Sequence, residues 1–227
     1  IKGVADAVHA VKKDALVIFN TYNWGWTEEK VRREFLEKMP TDVVIQVTFE
    51  IFKSISRGKF KASVMDYTIS EAEPGFYFTS ECAIAKECGI PLLATANTAG
   101  LTWDFGSVGH VPVPQQWMKK FDKLNEAREK WDLLRFYDNH YGWEPSIICD
   151  LGKAAFWAPQ VDMKSQFKKL LVRDFGAGAE LMEEGYAFWS EAINYFTPTN
   201  EDQYGPFRIG PSYPLQLQID NIRQACT

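Results

Sequence analysis

Three runs in this chain are apolar almost without interruption: ALVIFNTY over residues 15–22, DVVIQVTF over residues 42–49 and IPLLAT over residues 90–95. A strand with one face in water alternates apolar and polar residues, whereas a strand covered on both faces reads as a continuous apolar run. Strands of the second kind belong to parallel sheets flanked by helices, and this chain places helical patterns between its runs. Residues 27–38 read as a helix, with Thr27 at the N-cap, Glu28 and Glu29 at the positive end of the dipole, and Val31, Phe35 and Met39 on one face. A second helix over residues 79–87 closes at Gly89, a residue suited to a left-handed C-cap. A third starts near Pro114, carries Trp117, Phe121 and Leu124 on one stripe and runs towards Lys130.

Two more segments extend the series. SVMDYTIS, residues 63–70, reads as a strand entered from a basic loop over residues 56–61, and LLRFYDNHYGWEP, residues 133–145, begins apolar and breaks into a polar and aromatic cluster. An open sheet that binds nucleotides would carry a glycine-rich phosphate loop, yet neither GxGxxG nor GxxxxGK[ST] occurs. A closed barrel instead crowds functional side chains at the C-terminal ends of successive strands. Here those ends hold Asn23, Trp24 and Trp26; Glu50; Asp66, Tyr67 and Glu71; Asn97, Trp103 and Asp104; and Asp138, His140, Trp143 and Glu144. The fold expected is α/β, the later strands of a (β/α)8 TIM-type barrel over residues 1–160, followed by a helical extension and irregular tail over residues 161–227. Met182, Tyr186, Trp189, Ile193 and Phe196 form the core stripe of that extension.

The first residues, IKGVADAVHAVKKDA, read as a helix with Val4, Val8 and Val11 on one face, running into the first strand. With no initiator methionine, a fragment or a processed product is expected, its targeting information and remaining strands lying upstream. Five strands cannot close a barrel of eight, so either the missing N-terminal part of the same protein or a second copy is expected to cover the open edge.

Composition narrows the partners. A hydrophobic fraction of 46% in 227 residues is enough for a substantial core. A net charge of -5, without basic clusters, leaves no footprint for nucleic acid or an anionic membrane surface, and no apolar run approaches the length of a bilayer span. Cys82, Cys88, Cys149 and Cys226 form no CxxC and no zinc spacing with histidine, so they read as core thiols. No metal and no cofactor motif is expected. The loop ANTAGLTWDFGSVGHVPVP is too long for a simple connection, and its Trp103 and Phe105 argue for a functional element.

Acidic side chains among indole rings suit carbohydrate chemistry. Sugars present flat C–H faces that stack on tryptophan and hydroxyl rims that bond to carboxylates, amides and imidazole. Glycoside hydrolysis requires two carboxyl groups, one protonated to assist the leaving oxygen and one ionised as nucleophile or base. Glu50 and Glu144 are the expected pair, with Asp66 the third candidate, since its charge inside a strand-like run needs a function or a partner such as Arg57. Trp143 beside Glu144 supplies an apolar wall that raises a carboxyl pKa. Trp24, Trp26, Trp103 and Trp143 are the expected stacking platforms, with Asn97, Asp138 and His140 as sugar ligands; His140 also reads as a partner of Asp138, and the tryptophans also read as core. For each glutamate a salt bridge or a sugar hydrogen bond is the competing role. The substrate expected is an oligosaccharide or glycoconjugate. Two alternatives stay open: a carbohydrate-binding domain without turnover, and a barrel lyase or metal-dependent hydrolase using Asp66, Asp138 and His140.

TYNWGW, VTFE, DYTIS, ANTAGLTWDFG, YDNHYGWEPS and EDQYGPFRIGPSYP together resemble the later strands and C-terminal helical region of bacterial (β/α)8 glycoside hydrolases, broadly of the hexosaminidase-like and α-glucuronidase-like groups. The resemblance is one of arrangement and spans most of the chain. It departs in one respect: hexosaminidases of that kind carry an adjacent Asp-Glu pair at an earlier strand, and no strand end here has one. The resemblance therefore implies that the catalytic acid lies upstream of Ile1, leaving Trp143 and Glu144 to bind substrate.

Overall fold

The computed structural model describes residues 1–22, 24, 27–64, 68–96, 112–138, 146–157 and 161–195, apart from the side chains of Arg57, Phe60, Tyr137 and Asp138. Its centre is a parallel sheet of β1 (Val17–Asn20), β2 (Val43–Thr48), β5 (Leu92–Ala96) and β6 (Arg135–Asp138), hydrogen-bonded in that order. Between β2 and β5 lies an antiparallel hairpin, β3 (Ser54–Arg57) and β4 (Phe60–Ser63). The helices are α1 (Lys2–Val11), α2 (Glu29–Leu36), α3 (Phe76–Glu87), α4 (Pro114–Trp131), α5 (Ile147–Trp157), α6 (Met163–Phe175) and α7 (Ala179–Ala192).

Every residue of β2 and of β5 is buried, which is the condition their uninterrupted apolar sequences imply. In register, Val17, Val43, Phe19 and Ile45 share one face with Leu92 and Ala94. Helices pack on this face: Phe19 stacks on Phe35 of α2 at 5.7 Å, Phe49 meets Phe78 of α3 at 5.0 Å, and Phe136 meets Phe156 of α5 at 4.7 Å. The strand order has no reversal, so each crossover advances the sheet in the same direction. Connections of one hand then put successive helices on one side, as the aromatic contacts do here. The architecture is α/β with a parallel sheet and flanking helices.

Local chemistry explains the helix ends. Gly89 takes φ +68°, its N–H donates to Lys86 O and that of Ile90 to Ala85 O, a Schellman closure of α3. Gly75, just before α3, has no room for a side chain, because a Cβ there would stand 2.9 Å from the carbonyl oxygen of Ile51.

Several expectations change. SVMDYTIS adds no strand to the parallel sheet among the described residues: Ser63 ends the hairpin, and Thr68 to Ser70 form a bend in which Thr68 Oγ1 accepts from Ser70 N–H at 3.0 Å. A hydroxyl that satisfies a neighbouring amide competes with strand pairing. The basic stretch over residues 56–61 is the hairpin turn, with Gly58 at φ +57°. Helix α2 begins at Glu29, with no side-chain cap from Glu28, and buries Arg32 and Leu36 while Val31 and Phe35 are exposed. On α1, Val4, Val8 and Val11 face outward and Ala5 is the buried residue. On α7, Tyr186 is buried and Met182 packs on the core, but Trp189 is 53% exposed. Cys82, Cys88 and Cys149 are free thiols, and Cys226 lies outside the described residues. Among the described residues no helix is long and apolar enough to cross a membrane.

Candidate functional site at the strand ends

The face of the sheet opposite the helices changes character along its length. Val44 and Leu93 are apolar, and beyond them towards the C-terminal ends come Asn20, Gln46, Thr48 and Thr95. Gln46 donates from Nε2 to Thr95 Oγ1 at 2.6 Å, and Thr48, 1% exposed, has no partner for its hydroxyl among the described residues. On the helix-packed face the same strands stay apolar through Val47, Phe49, Ala94 and Ala96. Polar side chains therefore gather on one face at one end of the sheet, the end where parallel sheets present ligand-binding groups.

Two buried acids flank this end. Glu50 follows β2, and its carboxylate is wholly enclosed: Oε1 accepts from Lys120 Nζ of α4 at 2.6 Å and from the Thr68 backbone N–H at 3.3 Å. Lys120 donates also to Thr68 O at 3.3 Å and lies 5.5 Å from the centre of the Trp117 ring. Burial pushes the Glu50 carboxyl above its ordinary range, and the Lys120 ammonium pulls it back. Its second oxygen, Oε2, has no partner among the described residues.

Glu81, on α3, accepts at Oε2 from Thr21 Oγ1 at 2.6 Å, just beyond β1. Burial pushes this carboxyl up to about 7, against the opposing effects of the Thr21 hydrogen bond and the more distant charge of Arg32. Arg32 itself lies over the Tyr77 ring at 4.2 Å, a cation–π contact within the same cluster. Burial and then the neighbouring Glu81 hold the Tyr77 phenol far above its ordinary range.

The residues expected from sequence divide sharply. Glu50 is at a strand end, but it faces Lys120 in a closed ion pair, with both side chains 0% exposed. Trp24 is half-buried, its ring edge-on to Phe19 at 5.3 Å and to Phe35 at 4.8 Å, so it packs on core aromatics. Asp138 is the last residue of β6, paired in register with Ala96, and its backbone alone is described. Trp26, Asp66, Asn97, Trp103, His140, Trp143 and Glu144 lie outside the described residues. Among the described residues no group of three or more His, Cys, Asp or Glu side chains converges as a metal site would require.

Lys120 and Glu81 were absent from the sequence-based candidates, although their spacing carries a signal. Lys120 stands three residues after Trp117 and four before Leu124, on the buried stripe of α4, and Glu81 stands three after Phe78 and four before Ala85. A charged residue on an otherwise buried helical face requires a partner.

No protein-family model matches the chain, and no curated protein or solved structure is similar to it.

Proposed function

We propose that this chain is the substrate-binding and catalytic part of a glycoside hydrolase, acting on an oligosaccharide or glycoconjugate at the C-terminal ends of β1, β2, β5 and β6. In this reading the four strands are consecutive strands of a (β/α)8 barrel, and the polar face is its interior near the mouth. One observation carries the proposal: Asn20, Gln46, Thr48 and Thr95 collect on the side away from the helices, at the C-terminal end only. The strand order without reversal supports it, because a doubly wound sheet reverses direction and a barrel does not. The resemblance to hexosaminidase-like and α-glucuronidase-like enzymes points to the same class.

Within this reading the roles shift. Glu50, paired with Lys120 out of reach of water, acts as a positioning residue, and the acid–base work belongs to Glu144 with Asp66. Trp143 and Trp103 stack on the sugar, and Asn97, Asp138 and His140 hold its hydroxyls. The closed pairing of Glu50 also favours a second reading, a carbohydrate-binding domain that keeps the platform without turnover.

Hydrolysis of a panel of aryl glycosides, read beside binding of the parent sugars, decides between them. The glycosidase reading expects turnover that falls by at least about a hundredfold in kcat for Glu144→Gln, the scale of a lost general acid. Binding with no turnover across the panel leaves the binding domain, and neither binding nor turnover removes both.

A further inference from the structure

A cavity of about 380 Å³ opens between the β3–β4 hairpin, the first turns of α4 and the end of α7, and its walls are almost entirely polar. Ser54 and Ser56 come from β3, Glu71 from the segment after the hairpin, Gln116 and Lys119 from α4, and Asn194 from the 3-10 turn that follows α7. Three properties separate it from an ordinary surface hollow. Gln116 is 3% exposed and its Oε1 has no hydrogen-bond partner among the described residues, a buried acceptor that costs free energy unless something donates to it. The Glu71 carboxylate is met by Lys53 at 3.7 Å, whereas Lys119 has neither an ion-pair nor a hydrogen-bond partner among the described residues. The wall is also braced from behind: Ser70, in the lining, bonds to Thr68, whose backbone holds Glu50 and Lys120.

We infer that this cavity is a second sugar-binding subsite, beside the strand-end site, that takes a sugar unit bearing a carboxylate. Serine hydroxyls donate and accept, the Gln116 oxygen accepts, and Asn194, whose Nδ2 donates to Ser190 O at 3.3 Å, keeps its amide oxygen as an acceptor. This mixture matches a ring of hydroxyls, and the uncompensated charge of Lys119 selects a negative group at one edge. The location fits a multi-unit substrate, because the first turn of α4 and the Glu50 end of β2 meet through Lys120. The inference rests on the glycosidase reading for its substrate class.

Amide spectra of the full chain, titrated with uronic-acid oligosaccharides, with their methyl esters and with acetate alone, test it. The expected result is perturbation at Ser54, Ser56, Gln116 and Lys119 by the acidic oligosaccharides. Affinity should be about fivefold weaker for the esters, the scale of one partly exposed charge contact, and Lys119→Met should abolish that difference. Gln116→Leu, which removes the unsatisfied acceptor, should weaken both the acid and the ester. Equal responses to acid and ester, or the same shifts from acetate, overturn the subsite. Perturbation confined to Asn20, Thr48 and Thr95 also overturns it and leaves the glycosidase reading standing. Shifts in the cavity from a protein that hydrolyses no member of the glycoside panel keep the subsite and overturn the glycosidase reading instead.

Discussion

Glu50 and Glu81 are both fully buried glutamates within reach of the strand ends, and the protein treats their charges in opposite ways. Glu50 has an ammonium against its carboxylate at 2.6 Å, so its charge is neutralised by contact. Glu81 has a hydroxyl at the same distance and only a more remote guanidinium, so its proton is retained to a pH of about 7. The lesson is general: burial alone does not decide the state of an acid, because the nearest donor determines whether the charge or the proton remains. It also separates two kinds of scaffold at one sheet edge. One is an ion pair joining β2 to α4, and the other a hydrogen bond joining β1 to α3.

The strongest test of the contrast removes the ammonium. Lys120→Met leaves Glu50 buried without a cation, and urea unfolding should show a loss of about 3–5 kcal/mol, the cost of breaking a buried pair. Replacing both members, Glu50→Leu with Lys120→Met, should recover most of that loss, because the desolvation of two charges disappears together. If the single variant loses under about 1 kcal/mol, the pair behaves like an exposed one and the contrast with Glu81 fails.

A pH series addresses Glu81. Its folded pKa of about 7 exceeds the ordinary value of 4.5, so the folded state binds the proton more tightly than the unfolded chain. Below about pH 4.5 both states are protonated and the contribution is constant. Between that pH and about 7 the unfolded chain ionises first, so stability falls as pH rises, by up to about 3 kcal/mol in all. Glu81→Gln removes the titrating group, and the decline should flatten when unfolding free energies are measured from pH 4.5 to 8. A wild-type curve that is flat over this window would show that Glu81 ionises in the folded protein much as it does in the unfolded chain.

The parts of the molecule legible in the sequence are those where burial is complete. DVVIQVTF and IPLLAT contain β2 and β5 because strands covered on both faces have no solvent side to interrupt the apolar run. Gly89 was readable because only a left-handed residue closes that turn. Helix faces were harder. The spacing of Val31, Phe35 and Met39 points to one side of α2, yet the buried side carries Arg32, whose guanidinium finds the Tyr77 ring; polarity is misleading where a charge has a partner from a distant element. SVMDYTIS failed as a strand because pairing is a tertiary property, and the Thr68–Ser70 bond offered the backbone a local alternative. At the site, Glu50 was legible as a strand-end acid, but Lys120, with 70 residues between the partners in sequence, was not.

The smallest predicted effect tests the weaker of the two scaffolds. Thr21 donates its hydroxyl to Glu81 at 2.6 Å, and its backbone N–H meets Gln46 O at 3.1 Å, continuing the β1–β2 pairing past the end of the strand. Thr21→Val keeps the shape and the backbone bond and removes only the hydroxyl. The expected loss is about 1–2 kcal/mol at pH 8, where the carboxyl is ionised and the bond is charge-assisted, and less at pH 5, where a neutral carboxyl needs the donor less. Since that hydrogen bond lowers the Glu81 pKa, its removal should also move the midpoint of the pH-dependent decline upward. A loss that is the same at both pH values would mean that Thr21 serves the backbone junction alone, and that the proton on Glu81 is set by burial without any contribution from its nearest donor.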